Sequence, residues 1–376
     1  MSDRIVDPKL LLRSEVADMI PIKVGAKYNA FSEVKSRLNI EPLRMGANEN
    51  PYGPSPLVIQ AIQKKITEVH RYPDNTCYEL SKKMAAFHGV EPGRLMFDCG
   101  SESIMAKLIN YCIKPGDKIL SFSPSFPFIN IIGQAAGADL ISLAHEDDLS
   151  FSVEKFCEAL ANGVRYVYLC MPNNPTGTYF LGPELEKIIA AAHPETLFIL
   201  DEAYVEFAVN KSDYPDAIKI LEAAQQPYIS LRTMSKAYAL AGMRIGYAIT
   251  YCEEFTALLK PGPVFNVGLL TLEAAMAALE DTDHLERYIN IVSSERTRIE
   301  KELKSKNIQF FNSAGNFVCL SLPTLERAQM IETKMQSVGI FVKSQKGRNN
   351  EGVVRITIGR PEDNDKVLDN LTLQLR

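Results

Sequence analysis

Tryptophan is absent from this 376-residue chain, and no run of about 18 uncharged apolar residues occurs in it. A transmembrane helix is therefore not expected. The seven cysteines, at 77, 99, 112, 157, 170, 252 and 319, form no C-x-x-C pair. An odd, scattered set argues against a disulfide frame or a zinc site and points to buried thiols in a reducing, cytoplasmic compartment. The five histidines (70, 88, 145, 193, 284) stand alone without metal-ligand spacing, so they read as surface residues and no metal is expected. Positive charge is not in excess: 41 Lys and Arg against 46 Asp and Glu leave a net charge of -5. That removes nucleic acid and anionic membrane as expected partners. No G-x-G-x-x-G follows the first strand and no G-x-x-x-x-G-K-[ST] exists, which argues against a dinucleotide Rossmann site and a P-loop. The opening Met1-Ser-Asp-Arg-Ile-Val-Asp carries both charge signs and no apolar run, so no secretory leader is expected.

What is present is an ordinary globular composition, 46% hydrophobic and 23% charged, in a chain long enough for two domains. Residues 1–45 read as an N-terminal arm with an amphipathic piece from Asp7 to Met19. Residues 46–56, Gly-Ala-Asn-Glu-Asn-Pro-Tyr-Gly-Pro-Ser-Pro, are too rich in Gly and Pro for a regular element. From there to residue 265, short apolar runs near 95–97, 118–122, 139–143, 165–170, 197–200, 228–232 and 245–250 alternate with helical periodicity. That pattern predicts βαβ units and a mainly parallel sheet of an α/β domain. Residues 266–305 read as one long helical lever between domains. Residues 306–376 mix strands and helices as a smaller α+β domain.

In such sheets ligands bind beyond the carboxyl ends of the strands, and several of those ends are unusual. Gly100-Ser101-Glu102 opens a helix after the strand at 95–97, where free N–H groups suit a phosphate, although a plain cap would look the same. Pro172-Asn-Asn-Pro-Thr-Gly follows the strand at 165–170; a turn would suffice to explain it, but its two Asn also supply fixed amides. Asp201-Glu-Ala-Tyr204 puts polar groups at a buried strand end, which is costly unless they serve a ligand. A carboxylate there can pair with a protonated pyridine nitrogen. Arg232-Thr-Met-Ser-Lys236 and Arg244 combine hydroxyls, an amine and a guanidinium. Lys236 is flanked by Ala237, Ala239, Ala241 and Gly242, not the setting of a solvated surface charge. An amine in an apolar, cation-rich pocket has a depressed pKa and becomes nucleophilic. Amine, carboxylate and phosphate cup together describe a site for pyridoxal 5′-phosphate.

With these segments in hand, the chain resembles the fold-type I, aspartate-aminotransferase-like enzymes, and is most similar to the histidinol-phosphate aminotransferase family. The resemblance runs from Ala47-Asn-Glu-Asn-Pro-Tyr-Gly-Pro-Ser-Pro56 to Val354-Arg-Ile-Thr-Ile-Gly359. It passes through Arg71-Tyr-Pro-Asp, Pro172-Asn-Asn-Pro-Thr-Gly, Asp201-Glu-Ala-Tyr-Val-Glu-Phe and Ser235-Lys-Ala-Tyr-Ala-Leu-Ala-Gly-Met-Arg. It implies a three-layer α/β/α large domain with a mainly parallel seven-stranded sheet, plus a smaller α+β domain.

The resemblance also implies roles. Lys236 would form the internal aldimine and shuttle protons. Asp201 would face the pyridinium nitrogen, Tyr204 and Asn174 the phenolic oxygen. Phe126, where the family usually has Tyr, would stack on the ring. Gly100, Ser101, Glu102, Thr233, Ser235 and Arg244 would cradle the phosphate. Tyr72 would reach the phosphate of a neighbouring subunit, making a homodimer the functional unit. Arg355 would receive the substrate's carboxylate or phosphate, with Asn48 beside it on the closing arm. Three substrate-shell positions depart from the family pattern: Ile22 where a Tyr is usual, Lys343 where an Arg is usual, and Phe265 without a phenolic oxygen. The substrate stays open: an amino acid or an amino-alcohol phosphate. So does the chemistry, between amino transfer and decarboxylation, elimination or cyclisation on the same cofactor. A non-catalytic relative would be expected to lack Lys236, Asp201 or Arg244, and all three are present.

Overall fold

The computed structural model describes residues 13–17, 19 and 28–375. Strand β1 (Leu43–Arg44) precedes the seven strands of the central sheet: β2 (Leu95–Asp98), β3 (Lys118–Ser123), β4 (Asp139–Ala144), β5 (Tyr166–Cys170), β6 (Leu197–Asp201), β7 (Tyr228–Thr233) and β8 (Gly246–Thr250). Their order is β2-β8-β7-β6-β5-β3-β4. Only β8 runs against its neighbours; the other pairings are parallel. The inner strands β5, β6 and β8 are buried at every residue, as strands covered on both faces must be, and they are correspondingly apolar.

Alternation along β5 and β6 separates two cores. Val167, Leu169, Phe198 and Leu200 join one. Tyr166, Tyr168, Leu197 and Ile199 join the other, with the helix Ser101–Cys112. Because β8 is reversed, its amino end lies at the same sheet edge as the carboxyl ends of β2 and β7: Gly246 pairs with Asp98 on one side and Thr233 on the other. That brings Arg244 to the rim where the parallel strands end.

After the central sheet come β9 (Phe310–Phe311), β10 (Phe317–Leu322), β11 (Ile340–Phe341), β12 (Lys343–Lys346) and β13 (Gly352–Thr357). β12-β13-β10-β9 form an antiparallel sheet covered by the helix Leu325–Ser337. The stretch read as one lever is two helices, Leu269–Glu280 and Thr282–Ser305. They part at Asp281, whose carboxylate caps the second helix by accepting from His284 N and also accepts from Ser55 Oγ. The later part of the N-terminal segment is a helix, Tyr28–Leu38, followed by β1, which pairs with β11. Phe31 packs on Phe341 at 4.4 Å, so this segment lies against the C-terminal body. Short helices at Val153–Leu160 and Glu253–Leu259 were not apparent in the sequence. No helix among the described residues is long and apolar enough to cross a membrane.

Candidate active site

Strand register builds the site. Asp201 closes β6 opposite Cys170 of β5. Its Oδ2 accepts from the Tyr168 hydroxyl at 2.7 Å and its Oδ1 from Ala203 N at 3.3 Å. Burial pushes its pKa up to about 6, held back by the Tyr168 bond. Three residues on, the Tyr204 hydroxyl accepts from Asn48 Nδ2 at 2.9 Å and Asn174 Nδ2 at 3.3 Å. Both partners donate, so the phenol keeps its own proton to give; burial raises its pKa to about 12.

Lys236 follows β7, half buried, with its Nζ donating to Ala47 O at 2.9 Å. Burial lowers its pKa to about 8; the Arg355 and Arg244 cations add to that, against Glu49 and Glu102. The depression expected from its apolar neighbours is present.

The Gly/Pro-rich segment 46–56 is held in place by several side chains. Asn48, at φ 55°, takes Thr357 Oγ1 at its N–H (3.0 Å), and its carbonyl accepts from Asn316 Nδ2 at 3.1 Å. Arg355 leaves β13 to donate to Asn174 Oδ1 at 2.5 Å and to Gly46 O. Its Nε is buried without a partner. Lys343 lies directly across from Arg355 on β12.

The rim near β8 is shaped for an anion. Gly100 begins the helix Ser101–Cys112 with no side-chain cap, leaving its first N–H groups to a ligand. A Cβ on Gly100 (φ +85°) would come within 2.8 Å of Arg244 Nη2. One on Gly246 would strike Ser101 N at 2.1 Å. Only glycine lets Arg244 and the helix end approach this closely. Thr233 Oγ1 donates to Ser235 Oγ at 2.9 Å beside them. Glu102 is exposed in the first turn of the helix.

Phe126 is half buried in the turn before the helix Phe128–Ala135. Asn173 ties that turn to the Asn174 loop, accepting from Ser125 Oγ at 2.7 Å and donating to Pro124 O at 3.0 Å. Tyr72 and Phe265 form a separate pair, stacked at 4.6 Å, 81% and 38% exposed. Ile22 lies outside the described residues. Thr357, Asn316 and Tyr168 belong to the cluster and were not singled out from the sequence. Period-2 alternation from Cys170 back to Tyr168 was the one signal available for Tyr168.

This arrangement defines a pyridoxal-phosphate-dependent aminotransferase of the aspartate-aminotransferase-like fold. Residues 40–371 match the family "Aminotransferase class I and II". Histidinol-phosphate aminotransferase 2 of Caulobacter vibrioides is 36% identical over 333 residues, covering 88% of this chain and 86% of that one. Histidinol-phosphate aminotransferase 3 of Rhizobium meliloti is 32% identical over 370 residues, covering 97% of each. The histidinol-phosphate aminotransferase of Sinorhizobium meliloti, solved in complex with pyridoxal-5′-phosphate, superposes with a TM-score of 0.80 at 25% identity, over 96% of this chain and 95% of that one. Aspartate aminotransferase of Thermotoga maritima shares the fold, with a TM-score of 0.83 at 17% identity and coverage of 97% and 100%. The chain belongs to the class I and II aminotransferases, beside these histidinol-phosphate aminotransferase relatives. Its residues fit the cofactor: an amine with a depressed pKa, a buried carboxylate, and an uncapped helix end that glycine keeps open beside a guanidinium.

Proposed function

We propose that this enzyme moves an amino group to or from a substrate with an anionic end, an amino acid or an amino-alcohol phosphate. The observation that carries this is Arg355: its guanidinium reaches Asn174 and Gly46, its charge lowers the pKa of Lys236, and Lys343 adds a second cation across the strand pair. A guanidinium fork grips a carboxylate or phosphate oxygen pair, while Lys343 adds only a point charge. Asn48, which donates to the Tyr204 hydroxyl and binds Thr357 of the same strand as Arg355, would lie beside the substrate's anionic end.

Pyridoxal 5′-phosphate, when bound, supplies the carbonyl that receives the amine and the ring that takes up electrons from the substrate's α-carbon. Lys236 holds it. With a pKa of about 8, part of the Nζ population is neutral near pH 7 and can take the α-proton and return it. Asp201, as a buried anion, would hold the pyridine nitrogen. Tyr204 and Asn174 would bind the cofactor's phenolic oxygen, and Phe126 would pack against its ring. The N–H groups of Gly100, Ser101 and Glu102, the hydroxyls of Thr233 and Ser235, and Arg244 receive the phosphate.

The working unit we propose is a homodimer. Ile66, Val69, Tyr72, Tyr78, Val264 and Phe265 are exposed, a cost that a second copy relieves. Tyr72 then reaches the partner's phosphate site, with Phe265 beside it. Residues 306–376 act as the small domain that brings Arg355 to the substrate over residues 46–265, with 266–305 between them. The seven free cysteines support a reducing, cytoplasmic setting.

The test is to add amino donors, glutamate first, and record the absorption of the bound cofactor. Amino transfer converts it to the aminated form and leaves a keto product. A broad panel of donors that left the spectrum unchanged would defeat this reading.

A further inference from the structure

We propose that Tyr168 is a positioning residue for the cofactor site: its hydroxyl holds Asp201 as an ionised hydrogen-bond acceptor, ready for the pyridine nitrogen. The proposal rests on the assignment of Asp201 to that nitrogen.

Tyr168 lies on β5 with its side chain on the same face of the sheet as Asp201 and Cys170, one residue pair back from the strand end. It is fully buried. An aromatic side chain reaches a diagonal cross-strand neighbour at this spacing, and the Tyr168 hydroxyl meets Asp201 Oδ2 at 2.7 Å. Cys170 does not compete for the carboxylate, because its thiol turns to Pro172 O at 3.5 Å. Burial raises the phenol of Tyr168 well above its ordinary pKa. It therefore stays protonated, and towards Asp201 it can only donate.

A bond donated to a carboxylate favours its charged form. The groups that act on Asp201 divide cleanly. Burial, Glu102 on the facing helix and the adjacent Glu202 all favour the neutral acid, whereas the Tyr168 hydroxyl and the Ala203 N–H favour the anion. Tyr204 and Cys170 also face it, and burial keeps both protonated and neutral. The Ala203 contact is long at 3.3 Å, so Tyr168 is the main influence keeping Asp201 ionised near neutral pH. It also occupies Oδ2 and leaves Oδ1 the less engaged oxygen.

The experiment measures cofactor affinity by dialysis of the holoenzyme between about pH 5 and about pH 9, for wild type, Tyr168→Phe, Asp201→Asn and the double variant. Phe keeps the packed ring and removes only the hydroxyl. Affinity of the wild type should fall on the acid side as Asp201 takes up a proton. In Tyr168→Phe that limb should move to higher pH by about one unit, so affinity should drop on the order of tenfold near pH 5 and only about twofold near pH 7. In the Asp201→Asn background, Tyr168→Phe should shift nothing further. A Tyr168→Phe curve lying on that of the wild type, beside an altered Asp201→Asn curve, overturns the proposal alone. A Tyr168→Phe shift that persists in the Asp201→Asn background also overturns it. An Asp201→Asn curve identical to wild type overturns the Asp201 assignment and the proposal with it.

Discussion

Arg355 and Asn174 are 181 residues apart in sequence and joined by a hydrogen bond of 2.5 Å, from β13 of the C-terminal sheet to the loop that ends β5. Through it the guanidinium stands over the central sheet, close enough to lower the pKa of Lys236. The substrate grip proposed for Arg355 and the state of the reactive amine are thus tied to one side chain.

Replacing Arg355 separates the two effects. Arg355→Lys keeps the charge and loses the fork, so KM for the amino donor should rise by about ten- to a hundredfold, with a smaller change in kcat. Arg355→Gln also removes the cation, and the Lys236 pKa should then rise above about 8. The pH–rate profile of the variant should move to higher pH on its Lys236 limb.

The glycine beside the phosphate cup should tolerate nothing larger. In Gly246→Ala the new Cβ would lie 2.1 Å from Ser101 N, a backbone atom. The helix end must shift, at about 1–3 kcal/mol. Cofactor affinity should fall more steeply than the thermal midpoint, because the displaced N–H groups are those proposed to receive the phosphate. Dialysis and thermal unfolding measure the two.

Glu206 should make the fold less stable as pH rises. It is buried with Oε2 unpartnered, and burial pushes its pKa from 4.5 to about 7. Below about pH 4.5 it is protonated in both folded and unfolded chains. Between about 4.5 and 7 only the unfolded chain ionises, so stability falls through that window and stays lower above it. Glu206→Gln should remove the loss, up to roughly 3 kcal/mol near pH 8 and almost nothing near pH 4.5. Unfolding midpoints of the two proteins at both pH values test the sign.

Tyr72 tests the dimer. Tyr72→Phe should weaken cofactor binding by about tenfold, the loss of one hydrogen bond to a charged group. Mixing a Tyr72→Phe, Lys236→Ala chain with wild type should give hybrids in which the one intact Lys236 site lacks the partner's hydroxyl. Cofactor held at wild-type affinity in those hybrids would place Tyr72 outside the partner's site.

Much of this was legible in the sequence, for physical reasons. Segments such as Tyr166–Cys170 and Leu197–Asp201 are apolar because they are covered on both faces, and a polar residue ending such a strand stands out. Asp201 and Lys236 were found that way. Tyr168 was hidden, because a tyrosine inside an apolar strand looks like core until the neighbour of β5 is known. The Asn48–Tyr204 and Arg355–Asn174 bonds join residues 156 and 181 positions apart, and no local pattern records them. The supposed single lever failed on Asp281, an acidic residue in a helical run that caps a new helix instead of continuing the old one. Tyr72 and Phe265 were picked out by resemblance, but their stacking on each other depends on the loop fixed by Asn75 Oδ1, which accepts from Phe265 N at 2.6 Å.

The central claim is that the Lys236 amine holds the cofactor, and it is tested most directly by the visible absorption of purified Lys236→Ala after dialysis. No band from covalently held cofactor and no turnover are expected, with Asp201, Tyr204 and the proposed phosphate cup still in place. A variant that kept both the band and the activity would contradict it.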